Sequence, residues 1–194
     1  MASKWIVLND DPGIATRPVE ARLATTSDPH HRAMLETFIE HSRAEGVGDV
    51  DGTMATLVDD PEYHFWSPGM HLELRGRSEV RDFYAKLFDN GGIGNSVGRY
   101  GRFIIADNEI FFEVAVTRIQ PWRQTKEAGF DIGDESGHYA VRSRCAVVLS
   151  FDNSGLMRGE TSYSWVDPIN FERVPDAHLS DGYRMWLERF ALAT

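Results

Sequence analysis

Four side chains in this sequence have the chemistry to move a proton or hold a charge: His64, Arg118, Tyr163 and Asp167. His64 stands among Tyr63, Phe65 and Trp66, and an imidazole titrates close to neutrality, where proton transfer is most useful. Arg118 shares strand parity with Phe112, Val114 and Val116. A guanidinium on such an apolar face needs an anion, either an oxyanion formed during a reaction or a carboxylate such as Asp167. Tyr163, Trp165 and Asp167 share a second parity. There the phenol can donate to an oxyanion and the carboxylate can accept a proton, although Asp167-Pro168 also makes an ordinary strand-ending turn.

Other chemistries find less support. Cys145 has no activating partner in sequence and reads as a small buried hydrophobe. His30-His31 falls at a helix start, and a Pro-Gly turn separates His64 from His71. No Cys/His spacing matches a zinc site, so no metal is expected. Gly92-Ile93-Gly94 follows a helix rather than a strand and is not a dinucleotide fingerprint. The reading calls for no cofactor.

The elements that must position these residues follow from periodicity. Residues 1–28, with Pro12, Gly13 and Pro18, read as an extended N-terminal arm in which residues 5–8 dock as a short strand. Met34, Leu35, Phe38 and Ile39 recur at helical spacing behind a cap at Ser27 or Asp28, with Pro29 just inside. Val50, Met54, Leu57 and Val58 mark a second helix, stopped by Asp59-Asp60-Pro61. A strand over 63–67 turns at Pro68-Gly69 toward a partner over 72–74. Ser78 caps a third helix that ends near Phe88. Strands follow over 97–106, 110–119, 139–151 and 156–166, with a polar insertion over 124–137. Leu179, Tyr183, Trp186, Leu187 and Phe190 then form one face of a C-terminal helix, too apolar to stay in water. It must cover a cavity mouth or pack on a partner subunit. Helices followed by antiparallel strands predict an α+β domain from residue 29.

The chain has 194 residues, 42% of them hydrophobic, and a formal net charge of −10. That suits a single core and argues against nucleic acid as a partner. No apolar run is long enough to span a membrane, and the N-terminus lacks a cleavage-site pattern. A cytoplasmic protein is expected. One cysteine leaves no intrachain disulfide.

Residues 48–84 carry a family resemblance. Gly48-Asp49-x-Asp51-Gly52, Asp59-Asp60, Pro68-Gly69 and Arg81-x-Phe83-Tyr84 resemble the entry segment of the nuclear transport factor 2-like superfamily, the SnoaL-like and ketosteroid-isomerase-like domains. The resemblance implies a cone: a curved antiparallel sheet and three N-terminal helices around a ligand cavity, often in a homodimer. It also implies that the domain closes at 167, with 168–194 as an extension. It places Phe112, Val114, Val116 and Arg118 inward, with Tyr139, Val141, Ser143, Cys145, Val147 and Leu149 on the next strand. On the last strand it places Thr161, Tyr163, Trp165 and Asp167 inward. Trp66, Tyr84, Phe112, Val116 and Trp165 then contact substrate, Tyr84 more as a wall than as a reactant. Strict alternation from Ser67 puts His64 on the convex face, and a one-residue bulge would reverse that.

The ketosteroid-isomerase acid/base groups are replaced. Ser67 stands at the position of the base, Val147 at that of the oxyanion-hole acid and Phe38 near that of the tyrosine. The dehydratase signature on the first helix is also absent, since Phe38, Ile39 and Arg43 occupy its neighbourhood. What the resemblance implies is a cofactor-independent lyase that eliminates water or a small carbonyl fragment from a bulky aromatic or polycyclic substrate. A SnoaL-like cyclase, an epoxide hydrolase and a non-catalytic binding or dimerisation module remain alternatives.

Overall fold

The computed structural model describes residues 4–127, 129–131 and 134–190, the side chains of 167–170 excepted. Helix α1 (Arg17–Thr25) opens with Pro18 in its first turn, where the missing N–H costs nothing. The second half of the expected extended arm is therefore helical. The first half is buried as expected, but as turns rather than a strand: Leu8 N donates to Ser96 O at 2.8 Å and Asn9 N to Gly94 O at 3.0 Å. Helix α2 (Pro29–Val47) begins as anticipated, with the Asp28 carboxylate accepting from His31 N at 2.8 Å. Gly48 ends it in the left-handed region.

Helix α3 (Val50–Ala55) is shorter than its sequence pattern. Leu57 and Val58 belong instead to strand β1 (Leu57–Ser67). Arg77 holds the junction by donating to the carbonyls of Met54, Leu57 and Val58. Pro61 does not break β1, because it lies in the irregular stretch between Leu57 and Glu62 where no ladder N–H is required. β2 (Met70–Arg75) pairs back on β1, and α4 (Gly76–Asp89) follows. Then come β3 (Ser96–Ile105), β4 (Glu109–Pro121), α5 (Trp122–Glu127), β5 (His138–Phe151), β6 (Met157–Val174) and α6 (Asp181–Phe190).

The fold is α+β, with a six-stranded curved sheet in the order β2-β1-β6-β5-β4-β3. All pairings are antiparallel except β1 with β6, which run parallel. The main core lies between the concave face and helices α2 and α4: Met34, Leu35, Tyr63, Val80, Ile110 and Met157 are essentially inaccessible. β6 continues past Asp167 to Val174, so the strand does not stop where the sequence suggested.

A second core fastens the two ends of the chain together. Tyr183 and Trp186 of α6 pack with Trp5, Val7, Ile119 and Val174. Gly182 N donates to Asp10 Oδ1 at 2.7 Å, and Trp186 Nε1 donates to Gly91 O at 3.0 Å. The apolar stripe of α6 is thus buried against its own N-terminal segment.

Candidate functional site

Between the concave face and α2 lies a cavity of about 610 Å³. The sheet supplies Phe112, Val114, Val116 and Arg118 from β4, and Val141, Ser143, Cys145, Val147 and Leu149 from β5. These are the residues that alternation on β4 and β5 places inward, Tyr139 apart. From α2 come Phe38, His41, Ser42 and Glu45 at spacings of three, one and three, a single helical stripe that turns from apolar to polar toward its C-terminal end. Phe38 stacks on Phe112 with ring centroids 5.4 Å apart.

Two carboxylates enter this cavity from opposite walls, Glu45 from α2 and Glu160 from β6. Burial raises Glu45 to about 8, with the negative charge of Glu160 adding to the rise. Burial raises Glu160 to about 7, opposed by its hydrogen bond with Ser162. The charge of an ionised Glu160 makes ionisation of Glu45 harder, so both carboxyls are held above the ordinary glutamate range. His41 stands one helical turn before Glu45, and burial lowers its imidazole to about 4. It is neutral at pH 7 and braces the wall, with Nδ1 2.8 Å from Thr56 Oγ1 and Nε2 3.1 Å from Tyr84 Oη. Tyr84 Oη in turn lies 3.3 Å from Tyr63 Oη. Tyr84 is fully buried in this network and supports the wall from behind.

The parity of β6 is opposite to the sequence-based expectation. Ser162 stands opposite Val147 and Ser164 opposite Cys145, so Glu160, Ser162, Ser164 and Val166 face the cavity. Tyr163 and Trp165 face outward, 54% and 61% exposed. The cause is a bulge at the start of the strand. Phe151 pairs with Met157 but Ser150 pairs with Gly159, which leaves Arg158 as the extra residue. Were the pairing regular, Thr161 would stand opposite Val147 and Tyr163 opposite Cys145, the expected set. Gly159 permits the bulge: its φ is +147°, and a Cβ there would collide with the Glu62 carbonyl.

The same outer face carries Trp66 and His64. Trp66 is 41% exposed and stacks with His71 and Tyr163. His64 does not reach the cavity, because Tyr63 and Phe65 take the inner face of β1. The turn that separates His64 from His71 in sequence folds them together: His64 pairs across the hairpin with Glu73, and ligand atoms of His64, His71 and Glu73 lie within 4.8 Å of one another. Asp167 lies on β6, but its side chain falls outside the described residues.

Arg118 lines the cavity as its parity requires. Arg118 is exposed, and desolvation by the surrounding protein lowers its pKa. Among the described residues it makes no ion pair. The residues that sequence reasoning missed are therefore Glu45, His41 and Glu160. The first two carried a signal, because the apolar stripe of α2 runs on through them.

No family model matches the sequence, and no curated protein does. Solved structures match the fold. A protein from Shewanella putrefaciens CN-32, provisionally assigned as a SnoaL-like polyketide cyclase, aligns over 79% of this chain and 90% of its own with 11% identity and a TM-score of 0.55. A second provisional SnoaL-like polyketide cyclase, from Jannaschia sp. CCS1, aligns over 72% of this chain and 90% of its own with 12% identity and a TM-score of 0.50. The chain has the nuclear transport factor 2-like fold.

Proposed function

We propose that this nuclear transport factor 2-like chain is a cofactor-independent lyase in which Glu160 is the general base and Glu45 the general acid. The observation that carries this reading is that two carboxylates, Glu45 from α2 and Glu160 from β6, line one cavity where burial raises both above the ordinary glutamate range. Elimination of water needs one ionised and one protonated carboxyl at once. Ionised Glu160 takes a proton from carbon, and the released electron pair forms the C=C bond. The C–O bond on the neighbouring carbon breaks, and Glu45 delivers its proton to the departing hydroxide as water. The turnover leaves Glu160 protonated and Glu45 ionised. Glu45 also borders a second hollow, lined by Trp186, Phe190 and Met185, through which protons can be restored from solvent.

The volume and the phenylalanine and valine lining suit an aromatic or polycyclic substrate. An epoxide hydrolase would use the same pair, with Glu160 activating water and Glu45 protonating the epoxide oxygen. The two reactions are separated by mass. Incubation with β-hydroxy carbonyl aromatics should give products lighter by one water, and Glu45→Gln and Glu160→Gln should each abolish them. Products heavier by one water, formed from epoxides, would assign the hydrolase instead. Binding without turnover across both panels would assign a non-catalytic module. The homodimer that the resemblance implies would use the outer sheet face, where Trp66, Tyr163 and Trp165 stand exposed.

A further inference from the structure

Arg118 and the two glutamates occupy different ends of the cavity. Glu160 stands opposite Leu149 of β5, whereas Arg118 stands opposite Val141. Eight residues of β5 separate those positions, about 26 Å of strand at roughly 3.3 Å per residue. The arginine side chain lines the same cavity as Cys145 and so covers part of that span. From Cys145 to Leu149 four residues remain, or about 13 Å along the strand.

Around Arg118 the cavity lining offers Gln120 and Ser143 but no carboxylate among the described residues. Gln120 is held in place by donating from Nε2 to Thr125 Oγ1 at 3.0 Å. The guanidinium lines the cavity, is accessible and has no ion-pair partner among the described residues, so an anion arriving with a ligand can pair with it. Between the two ends run Phe112, Val114, Val147 and the hydroxyls of Ser162 and Ser164. That is an apolar middle with a few polar contacts.

We infer that Arg118 is the anchor for a carboxylate carried by the substrate, placed on the order of 10 Å from the bond that reacts, so that the substrate class is elongated aromatic acids. The guanidinium binds the carboxylate in a two-point contact and so fixes which carbon meets Glu160. This rests on the cavity being the substrate site, but not on the elimination itself.

Binding separates the two. 2-Naphthylacetate and 2-naphthylacetamide share a shape and differ in charge. Calorimetric titration of the wild-type chain should show the acid bound about tenfold to a hundredfold more tightly than the amide, the range of one charge-assisted hydrogen-bonded contact. Arg118→Met should reduce the affinity for the acid to that for the amide and leave the amide unchanged. Arg118→Lys should keep part of the preference, and Glu160→Gln all of it. Equal affinity for both probes in the wild type, no binding of either at millimolar concentration, or a preference that survives Arg118→Met in a folded protein would overturn the inference. If the preference is found but no acid is ever turned over, the elimination reading fails and the anchor stands.

Discussion

Replacing Glu45 by glutamine should change the pH dependence of folding more than folding itself. Glutamine keeps the size and one oxygen of the side chain but carries no charge at any pH. In the wild type, burial and the charge of Glu160 raise Glu45 from 4.5 to about 8. The folded state therefore binds more protons than the unfolded state in that interval. The stability this contributes is complete below about 4.5 and is lost as pH rises through about 8. At about 1.36 kcal/mol per pH unit, the full interval corresponds to roughly 5 kcal/mol. Glu45 is partly accessible through the cavity, so hydration reduces this to about 2 kcal/mol. Urea denaturation at pH 5 and pH 9 measures it. Glu45→Gln should match the wild type within about 1 kcal/mol at pH 5 and exceed it by about 2 kcal/mol at pH 9. A difference between the two proteins that does not change with pH would mean that Glu45 ionises like a surface glutamate, and the acid pair would not exist.

Four other outcomes follow from the same geometry. His64→Gln and Tyr163→Phe, both on the outer face, should leave turnover within about twofold of wild type, and a loss above about tenfold would contradict the facing of β1 for the first and the register of β6 for the second. Gly159→Ala forces a side chain against the Glu62 carbonyl and should cost at least about 2 kcal/mol in urea denaturation, and a neutral result would remove the bulge argument. Trp186→Ala deletes the centre of the second core and should destabilise by about 3–5 kcal/mol, with increased proteolysis at both termini. Trp165→Glu should shift sedimentation from dimer to monomer without loss of fold if the outer face is the homodimer surface, and an unchanged sedimentation coefficient would remove that surface from assembly.

The parts of the fold legible in sequence were those governed by local chemistry. Asp28 and Pro29 begin α2, and alternation on β4 and β5, with its phase set by the family resemblance, carries Phe112, Val116 and Arg118 to the cavity. The parity of β6 was not legible, because one bulged residue beside Gly159 inverts every side chain after it, and a bulge is decided by how Glu62 of β1 meets the strand rather than by the local pattern. That one residue moved Tyr163 and Trp165 outward and brought Glu160 in. Leu57 and Val58 read as helical because a short apolar run carries no period of its own, and the carbonyls held by Arg77 decide otherwise. Glu45 escaped notice for a different reason. A glutamate near the end of a helix usually faces water, so the stripe that runs from Phe38 through His41 to Glu45 reads as ending before it.

The central claim is that Glu45 and Glu160 are both held above the ordinary glutamate range, and carbon-detected NMR of side-chain-labelled glutamate tests it directly. Loss of one resonance in each of Glu45→Gln and Glu160→Gln assigns the pair. Both carboxyls should titrate together, with steps near 7 and 8, and Glu160→Gln should lower the value of Glu45 by removing the neighbouring charge. Two independent titrations near the ordinary glutamate value of about 4.5, unaffected by substitution of the partner, would contradict the account.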